Sequence, residues 1–157
     1  METARSMKRL LIVHHSASGG ATRMRDAVLE GVRLGDAVEV CALPAREAGP
    51  ADVLGAHGII LGTPENFGYM SGALKDFLER IYHPCLEHTQ GLPWALFVRA
   101  GNDGRGAVDS VKRIVTGLRW REVAPPIIAR GDLDEPTLSA CRELGETLAT
   151  GVAAGIF

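Results

Sequence analysis

The stretch GIILGTPENFGYMSGALKDFLERIY, residues 58–82, decides how this chain folds. Its first part, residues 59–61, is apolar and predicts a buried strand. Its last part predicts an amphipathic helix, because apolar side chains recur there at i, i+3, i+4 and i+7: Leu74, Phe77, Leu78 and Ile81. Ser71 is placed to cap the start of this helix, and Pro84 to end it, because proline cannot continue a helix.

The loop between the strand and the helix, residues 62–70, is rich in residues with special backbone properties. Pro64 fixes one torsion angle, and two glycines let the backbone approach a ligand closely. Phe67 and Tyr69 add aromatic side chains to a short polar segment. The loop is therefore either a ligand-binding segment or an ordinary β–α turn with two partly buried aromatics.

Length and composition exclude several classes of protein. A chain of 157 residues predicts one domain spanning residues 1–157, with residues 1–6 as a loose tail. The net charge of −2, with basic and acidic residues interspersed, gives no basis for nucleic-acid binding. No apolar run approaches the roughly 18–20 residues that span a bilayer, and the N-terminus has no signal-peptide core. We therefore expect a cytoplasmic protein without membrane insertion.

The three cysteines and the two histidines at residues 14 and 15 do not predict a metal site. Cys41, Cys85 and Cys141 are widely spaced, match no metal-ligand pattern and are typical of a reducing compartment. His14 and His15 end an apolar run, and no further ligands accompany them. We interpret both histidines as structural or pocket-lining.

Strands and helices alternate along the chain. Apolar runs predict strands at residues 9–14, 36–43, 57–61, 94–100 and 126–130. Amphipathic helices separate them, and Asp134 opens a last helix. This alternation is typical of a parallel sheet with right-handed crossovers. It predicts an α/β protein, a three-layer sandwich around a five-stranded parallel sheet in the order 2-1-3-4-5.

In that strand order, the loops after strands 1, 3 and 4 meet at the carboxyl edge of the sheet, where ligands bind. The first loop combines three hydroxyl side chains with two glycines before a helix, a composition that suits an anion. It lacks the lysine of a nucleotide-triphosphate loop and the GxGxxG fingerprint of a dinucleotide site. The loop therefore suits a monophosphate ester, unless it is only a turn that caps the helix.

The other two loops suit a flat heterocycle. The second can place backbone N–H groups and an aromatic side chain against a ring, and the third, AGNDG, can donate to the carbonyl edge of that ring. One phosphate cradle and two loops for a flat ring together describe an FMN site.

At these loops the sequence resembles a known family. HSASGGAT, residues 15–22 with His15 first, resembles the flavin-phosphate loop of flavodoxin-like proteins. GTPENFGYMSGALKDFLERIY closely resembles the matching segment of NAD(P)H-dependent FMN reductases and of quinone reductases of the tryptophan-repressor-binding-protein type. The resemblance covers nearly the whole chain and implies a flavodoxin-like sandwich. The first loop departs from the family pattern, because Gly20 and Ala21 stand where the family has one residue before the threonine.

The resemblance implies the residues of the FMN site. The phosphate would be held by Ser16, Ser18, Gly19, Gly20, Ala21 and Thr22. The ring would be flanked by Pro64, Glu65, Asn66, Phe67 and Gly68. The pocket would be completed by Ala100, Gly101, Asn102, Asp103 and Gly104. No catalytic acid or base and no metal is expected, because hydride transfer is the chemistry of the cofactor.

The leading functional hypothesis is an NAD(P)H-dependent oxidoreductase that reduces a quinone, a flavin or another small-molecule acceptor through FMN. A flavodoxin-type electron carrier is the alternative, and a flavin-free binding module is a third. The nearly neutral charge and the absence of aromatics from the third loop favour the reductase. Arg99 and Arg105 lie near that loop, where they could meet a cofactor phosphate, but we expect both to be solvated surface charges. Residues 85–93 could form a dimer contact, since many relatives are homo-oligomers.

Overall fold

The computed structural model describes residues 7–16 and 19–157, so the predicted tail at residues 1–6 lies outside the described residues. Helices and strands alternate within the described ranges, as predicted. In chain order they are β1 (Arg9–His14), α1 (Gly20–Arg33), β2 (Glu39–Pro44), α2 (Pro50–Leu54), β3 (Gly58–Asn66), β4 (Tyr69–Met70), α3 (Gly72–Cys85), β5 (Pro93–Ala100), α4 (Arg105–Gly117), β6 (Arg121–Glu122), β7 (Ile127–Arg130) and α5 (Glu135–Ala154).

The central sheet runs in the order β2-β1-β3-β5, with β6 and β7 both pairing with β5 at its outer edge. All of these pairs are parallel. The predicted order 2-1-3-4-5 is confirmed, with β5 as the fourth predicted strand and β7 as the fifth. The sheet has seven strands rather than five for two reasons. First, the edge position is divided between β6 and β7, because Pro125 and Pro126 between them have no N–H to donate. Second, the short strand β4 pairs antiparallel with β3.

The side chains of the central strands are buried on both faces of the sheet. Leu11 and Val13 of β1 join one apolar cluster with α3 and α4, whereas Leu10 and Ile12 join a second cluster with α1 and α5. Burial on both faces explains why the strands are continuous apolar runs rather than alternating ones. Among the described residues, no helix combines the length and the apolar character that a membrane crossing requires.

Two expectations about the stretch at residues 58–82 were wrong. The third strand does not end at residue 61 but continues to Asn66, because Thr63 and Pro64 pair with Val98 and Arg99 of β5. Much of the predicted loop is therefore a strand and the beginning of a hairpin.

The predicted end of the following helix was also wrong, whereas its start is confirmed. The Oγ of Ser71 accepts a hydrogen bond of 3.2 Å from the N–H of Leu74, as expected of an N-cap. Pro84, however, lies inside α3, which ends at Cys85. A proline in the last turn removes only one helical hydrogen bond, and its fixed φ is helical, so the helix ends one residue after it.

Candidate functional site

Three loops meet at the carboxyl ends of β1, β3 and β5. The N–H of His15, just after β1, donates to the carbonyl of Gly62 in β3 over 3.0 Å, which holds the start of the first loop to the neighbouring strand. The hairpin that closes β3 and the loop after β5 follow along the same edge. The structure therefore brings together the three loops that the sequence singled out.

The first loop presents an open helix N-terminus. The Oγ of Ser16 accepts a 3.0 Å hydrogen bond from the N–H of Gly19, and a hydroxyl that accepts a bond still has a proton to donate. Gly19 has φ +89° and precedes α1, and a Cβ built on it would meet no atom of the described residues within 4 Å. Such an N-terminus, with free N–H groups and the positive end of the helix dipole, fits a phosphate group.

The other predicted phosphate contacts are placed differently. Ala21 is buried with its side chain in the core, so only its backbone N–H can serve a ligand, whereas Thr22 is half-buried in the first turn. Ser18 lies outside the described residues.

A two-residue turn forms the tip of the hairpin between β3 and β4. Phe67 has φ +53° and Gly68 has φ +69°, and positive values at both central residues are typical of a type I′ turn. Glycine adopts this conformation freely, but phenylalanine is strained in it. Phe67 is also fully exposed, and Tyr69 is 41% exposed, so the alternative of two partly buried aromatics was wrong.

Glu65 connects the hairpin to the third loop. One carboxylate oxygen accepts the N–H of Gly104 at 3.0 Å, and the other accepts the N–H of Ala107 at 3.3 Å. Gly104 is the N-cap residue of α4, so the carboxylate of Glu65 caps a helix that begins 40 residues later in the sequence. A negative charge at this position also stabilises the helix dipole. Both oxygens of Glu65 thus serve to position the two loops.

Two further contacts were not predicted from the sequence. The buried hydroxyl of Ser110 accepts the N–H of Met70 at 3.1 Å and donates to a carbonyl of its own helix, which fixes β4 on α4. Gly106 lies so close to Gly68 that a Cβ would overlap the carbonyl oxygen of Gly68. A serine inside the apolar stripe of α4 was the only sequence signal for these contacts.

The remaining predicted residues of the second and third loops differ in exposure. Pro64 and Ala100 are buried in the sheet, whereas Asn66, Gly101 and Asn102 are exposed at its edge. Asp103 is also exposed, but it is bound by two arginines. Its carboxylate accepts a 2.8 Å hydrogen bond from Arg105, and its backbone carbonyl accepts a 2.7 Å hydrogen bond from the Nε of Arg130.

The two arginines near the third loop have different environments. The side chain of Arg105 is 76% exposed, as predicted for a surface charge. The same prediction was wrong for Arg99, which is half-buried and donates from Nη1 to the carbonyls of Ala100 at 2.9 Å and Ala129 at 3.1 Å. Its side chain lies against Gly20 of the first loop, with Nε 2.7 Å from where a Cβ of that glycine would be.

Burial lowers the pKa of both histidines at the end of β1. Burial, followed by the charge of Arg25, lowers the pKa of His14 to about 4. Burial, followed by the charge of Arg46, also lowers the pKa of His15, whose Nδ1 is buried without a partner among the described residues. Within residues 7–16 and 19–157, no group of three or more histidine, cysteine or carboxylate side chains could hold a metal ion.

Comparisons with known proteins identify the relatives of this arrangement. The family model for NADPH-dependent FMN reductase matches residues 33–132. A flavodoxin from Aquifex aeolicus is 26% identical over 94% of this chain and 88% of its own length. An NAD(P)H dehydrogenase (quinone) from Acidithiobacillus ferrooxidans is 35% identical, over 47% of each chain.

A solved structure confirms the predicted fold. The flavodoxin, WrbA-like protein from Agrobacterium tumefaciens superposes with a TM-score of 0.78 at 22% identity, over 94% of this chain and 98% of that one. Likeness at that level of identity shows a flavodoxin-like fold. The family match spans about two thirds of the chain and includes the hairpin and the third loop but not the first loop. The chain therefore belongs to the NADPH-dependent FMN reductase family.

Proposed function

We propose that this protein binds FMN where the three loops meet, at the carboxyl ends of β1, β3 and β5. The bound FMN would pass hydride from NAD(P)H to a small acceptor such as a quinone or a free flavin. The observation that carries this proposal is the pair of hydrogen bonds by which the carboxylate of Glu65 caps the N-terminus of α4. These bonds hold the hairpin and the third loop beside each other. A preorganised pair of loops is what a flat ring needs, because binding then costs little ordering of the protein.

Each loop has a separate task in the proposed complex. The first turn of α1 and the hydroxyls of Ser16 and Thr22 bind the phosphate, supported by the open space at Gly19. The exposed aromatic ring of Phe67 covers one face of the flavin, and the backbone at Gly101 and Asn102 faces its polar edge. Bound FMN would supply the hydride chemistry, so the protein has only to orient the ring and limit the access of water.

The open side of the site favours a reductase over a carrier. The exposed residues of the third loop, Gly101, Asn102 and Asp103, include no aromatic side chain to cover the second face of the ring. That face is then free for a nicotinamide and, after it leaves, for the acceptor. A second candidate, a one-electron carrier between proteins, is supported by the Aquifex aeolicus flavodoxin, which aligns with 94% of the chain. The net charge of −2 provides little of the acidic surface that such docking uses.

The test is a flavin titration followed by reduction without partner proteins. The purified protein is titrated with FMN, and the visible spectrum of the complex is recorded before and after anaerobic addition of NADPH or NADH. We expect saturable binding, bleaching by a nicotinamide and recovery of the spectrum when a quinone is added. Binding without bleaching would identify the carrier instead, and no binding at high FMN concentration would refute the cofactor assignment.

A further inference from the structure

An open cavity of about 650 Å³ extends the phosphate side of the site. It lies between the N-terminus of α1, the end of β5 and the loop after β7. Its lining residues are Gly19, Gly20, Arg23, Arg99, Asp132 and Leu133. The cavity thus joins the two glycines predicted to hold a phosphate to two arginines that the predicted site did not include.

Arg99 is held in place at the side of the first loop. Its Nη1 donates to two backbone carbonyls, of Ala100 and Ala129, so the guanidinium is anchored to β5 and β7. The Nε, Cδ and Cγ atoms pass within 2.7–3.0 Å of the position that a Cβ of Gly20 would occupy. The missing side chain of Gly20 therefore allows the guanidinium to lie directly against the first residue of α1.

Positive charge exceeds negative charge around the cavity. The first turn of α1 contains no acidic residue, its N-terminus carries the positive end of the helix dipole, and Arg23 lies in the same turn. Among the described residues that line the cavity, Asp132 is the only acidic one. A guanidinium beside a helix N-terminus is repelled by the helix dipole, and an anion bound between the two would offset this repulsion.

From this geometry we propose that Arg99, assisted by Arg23, recognises the phosphate of the flavin and makes the protein select FMN over riboflavin. The inference rests on the proposed function and adds the residue that confers selectivity for the phosphorylated flavin. A phosphate monoester carries nearly two negative charges at neutral pH and accepts bidentate hydrogen bonds from arginine. The neutral first loop supplies backbone and hydroxyl donors, and the two arginines supply the charge that this loop lacks.

The experiment compares the dissociation constants of FMN and riboflavin, measured by flavin fluorescence, for the wild type and three variants. In R99Q we expect FMN binding to weaken about tenfold or more, with riboflavin binding unchanged, because riboflavin has no phosphate for Arg99 to contact. In R23Q we expect a smaller loss, about threefold, because Arg23 is exposed. The control R33Q removes the same charge from the far end of α1, about 20 Å away, and should leave both constants unchanged.

Riboflavin also separates a phosphate contact from a folding defect. A loosened R99Q protein would bind both flavins less tightly, and R23Q tests the same cavity without disturbing the hydrogen bonds between β5 and β7. An unchanged ratio of FMN to riboflavin affinity in both variants would overturn the inference. If the variants keep the ratio of FMN to riboflavin affinity but lose a preference for NADPH over NADH, the inference is also overturned. The cavity would then be assigned to the phosphate of the nicotinamide cofactor. A wild-type protein that binds neither flavin would instead refute the proposed function itself.

Discussion

Replacing Phe67 with asparagine is expected to stabilise the free protein and, at the same time, to weaken its binding of FMN. Phe67 has φ +53° at the tip of the hairpin, in a region where L-residues cost roughly 1–2 kcal/mol. Asparagine tolerates this conformation better than other non-glycine residues. Because the phenyl ring is fully exposed, the replacement loses no buried apolar surface in the free protein.

The expected size of both effects follows from these observations. Relief of about 1 kcal/mol of backbone strain corresponds to a rise of about 3 °C in Tm for a chain of 157 residues. Loss of an aromatic ring from one face of the flavin should weaken FMN binding about tenfold, which equals about 1.4 kcal/mol. Thermal unfolding of the flavin-free protein measures the first effect, and fluorescence titration with FMN measures the second.

Two matched variants separate backbone strain from the loss of the ring. Phe67→Ala removes the ring but keeps the strain, so its Tm should match the wild type while FMN binding weakens as in Phe67→Asn. Phe67→Tyr keeps both the ring and the strain, so neither quantity should change appreciably. A lower Tm for Phe67→Asn would refute the assignment of strain. Wild-type affinity for FMN in Phe67→Asn and Phe67→Ala would refute the role of Phe67 in binding the ring.

Three further substitutions test the capping of α4 by Glu65, the buried His14 and the packing of α1 on α5. Glu65→Gln keeps the shape but removes the charge that caps α4, so urea unfolding should show a loss of about 1 kcal/mol and FMN should bind several-fold more weakly. Because the pKa of His14 is lowered from 6.5 to about 4, its proton uptake favours the unfolded chain as the pH falls from 6.5 to 4. The contribution of His14 to stability should therefore fall by at most about 3 kcal/mol over that range and then level off. The variant His14→Gln should show a correspondingly weaker pH dependence in urea titrations at several pH values. Gly145→Ala would place a Cβ against the carbonyl oxygen of Val28, so it should destabilise the protein by about 2 kcal/mol. The control Gly72→Ala lies at the open start of α3 and should be neutral or slightly stabilising. Equal urea midpoints for Gly145→Ala and Gly72→Ala would contradict close packing of α1 on α5.

The order of the elements could be predicted from the sequence because it depends on local periodicity. Continuous apolar runs indicate strands covered on both faces, and apolar stripes at helical spacing indicate the helices between them. The N-cap at Ser71 was predictable for the same reason, since the hydroxyl and its partner are three residues apart. The end of β3 was not predictable, because its last residues become a strand only by pairing with β5.

The composition of the candidate site was only partly predictable. The three loops were identified correctly as neighbours, because parallel strands direct their carboxyl ends to one edge. The roles of individual side chains depend on partners that are distant in the chain. Glu65 caps a helix whose N-cap residue is 39 residues away, and Arg99 donates to a carbonyl 30 residues away. No local pattern around either residue indicates these contacts.

By itself the sequence therefore determined the alternation of strands and helices, the parallel sheet and the positions of the three glycine-rich loops. The tertiary structure alone decided that Phe67 is exposed at the tip of a hairpin and that Arg99 lies against the first turn of α1. The physical reason is the range of the interactions. Periodic burial and capping act within a few residues, whereas a charge or a ring acquires its role from groups that only folding brings near.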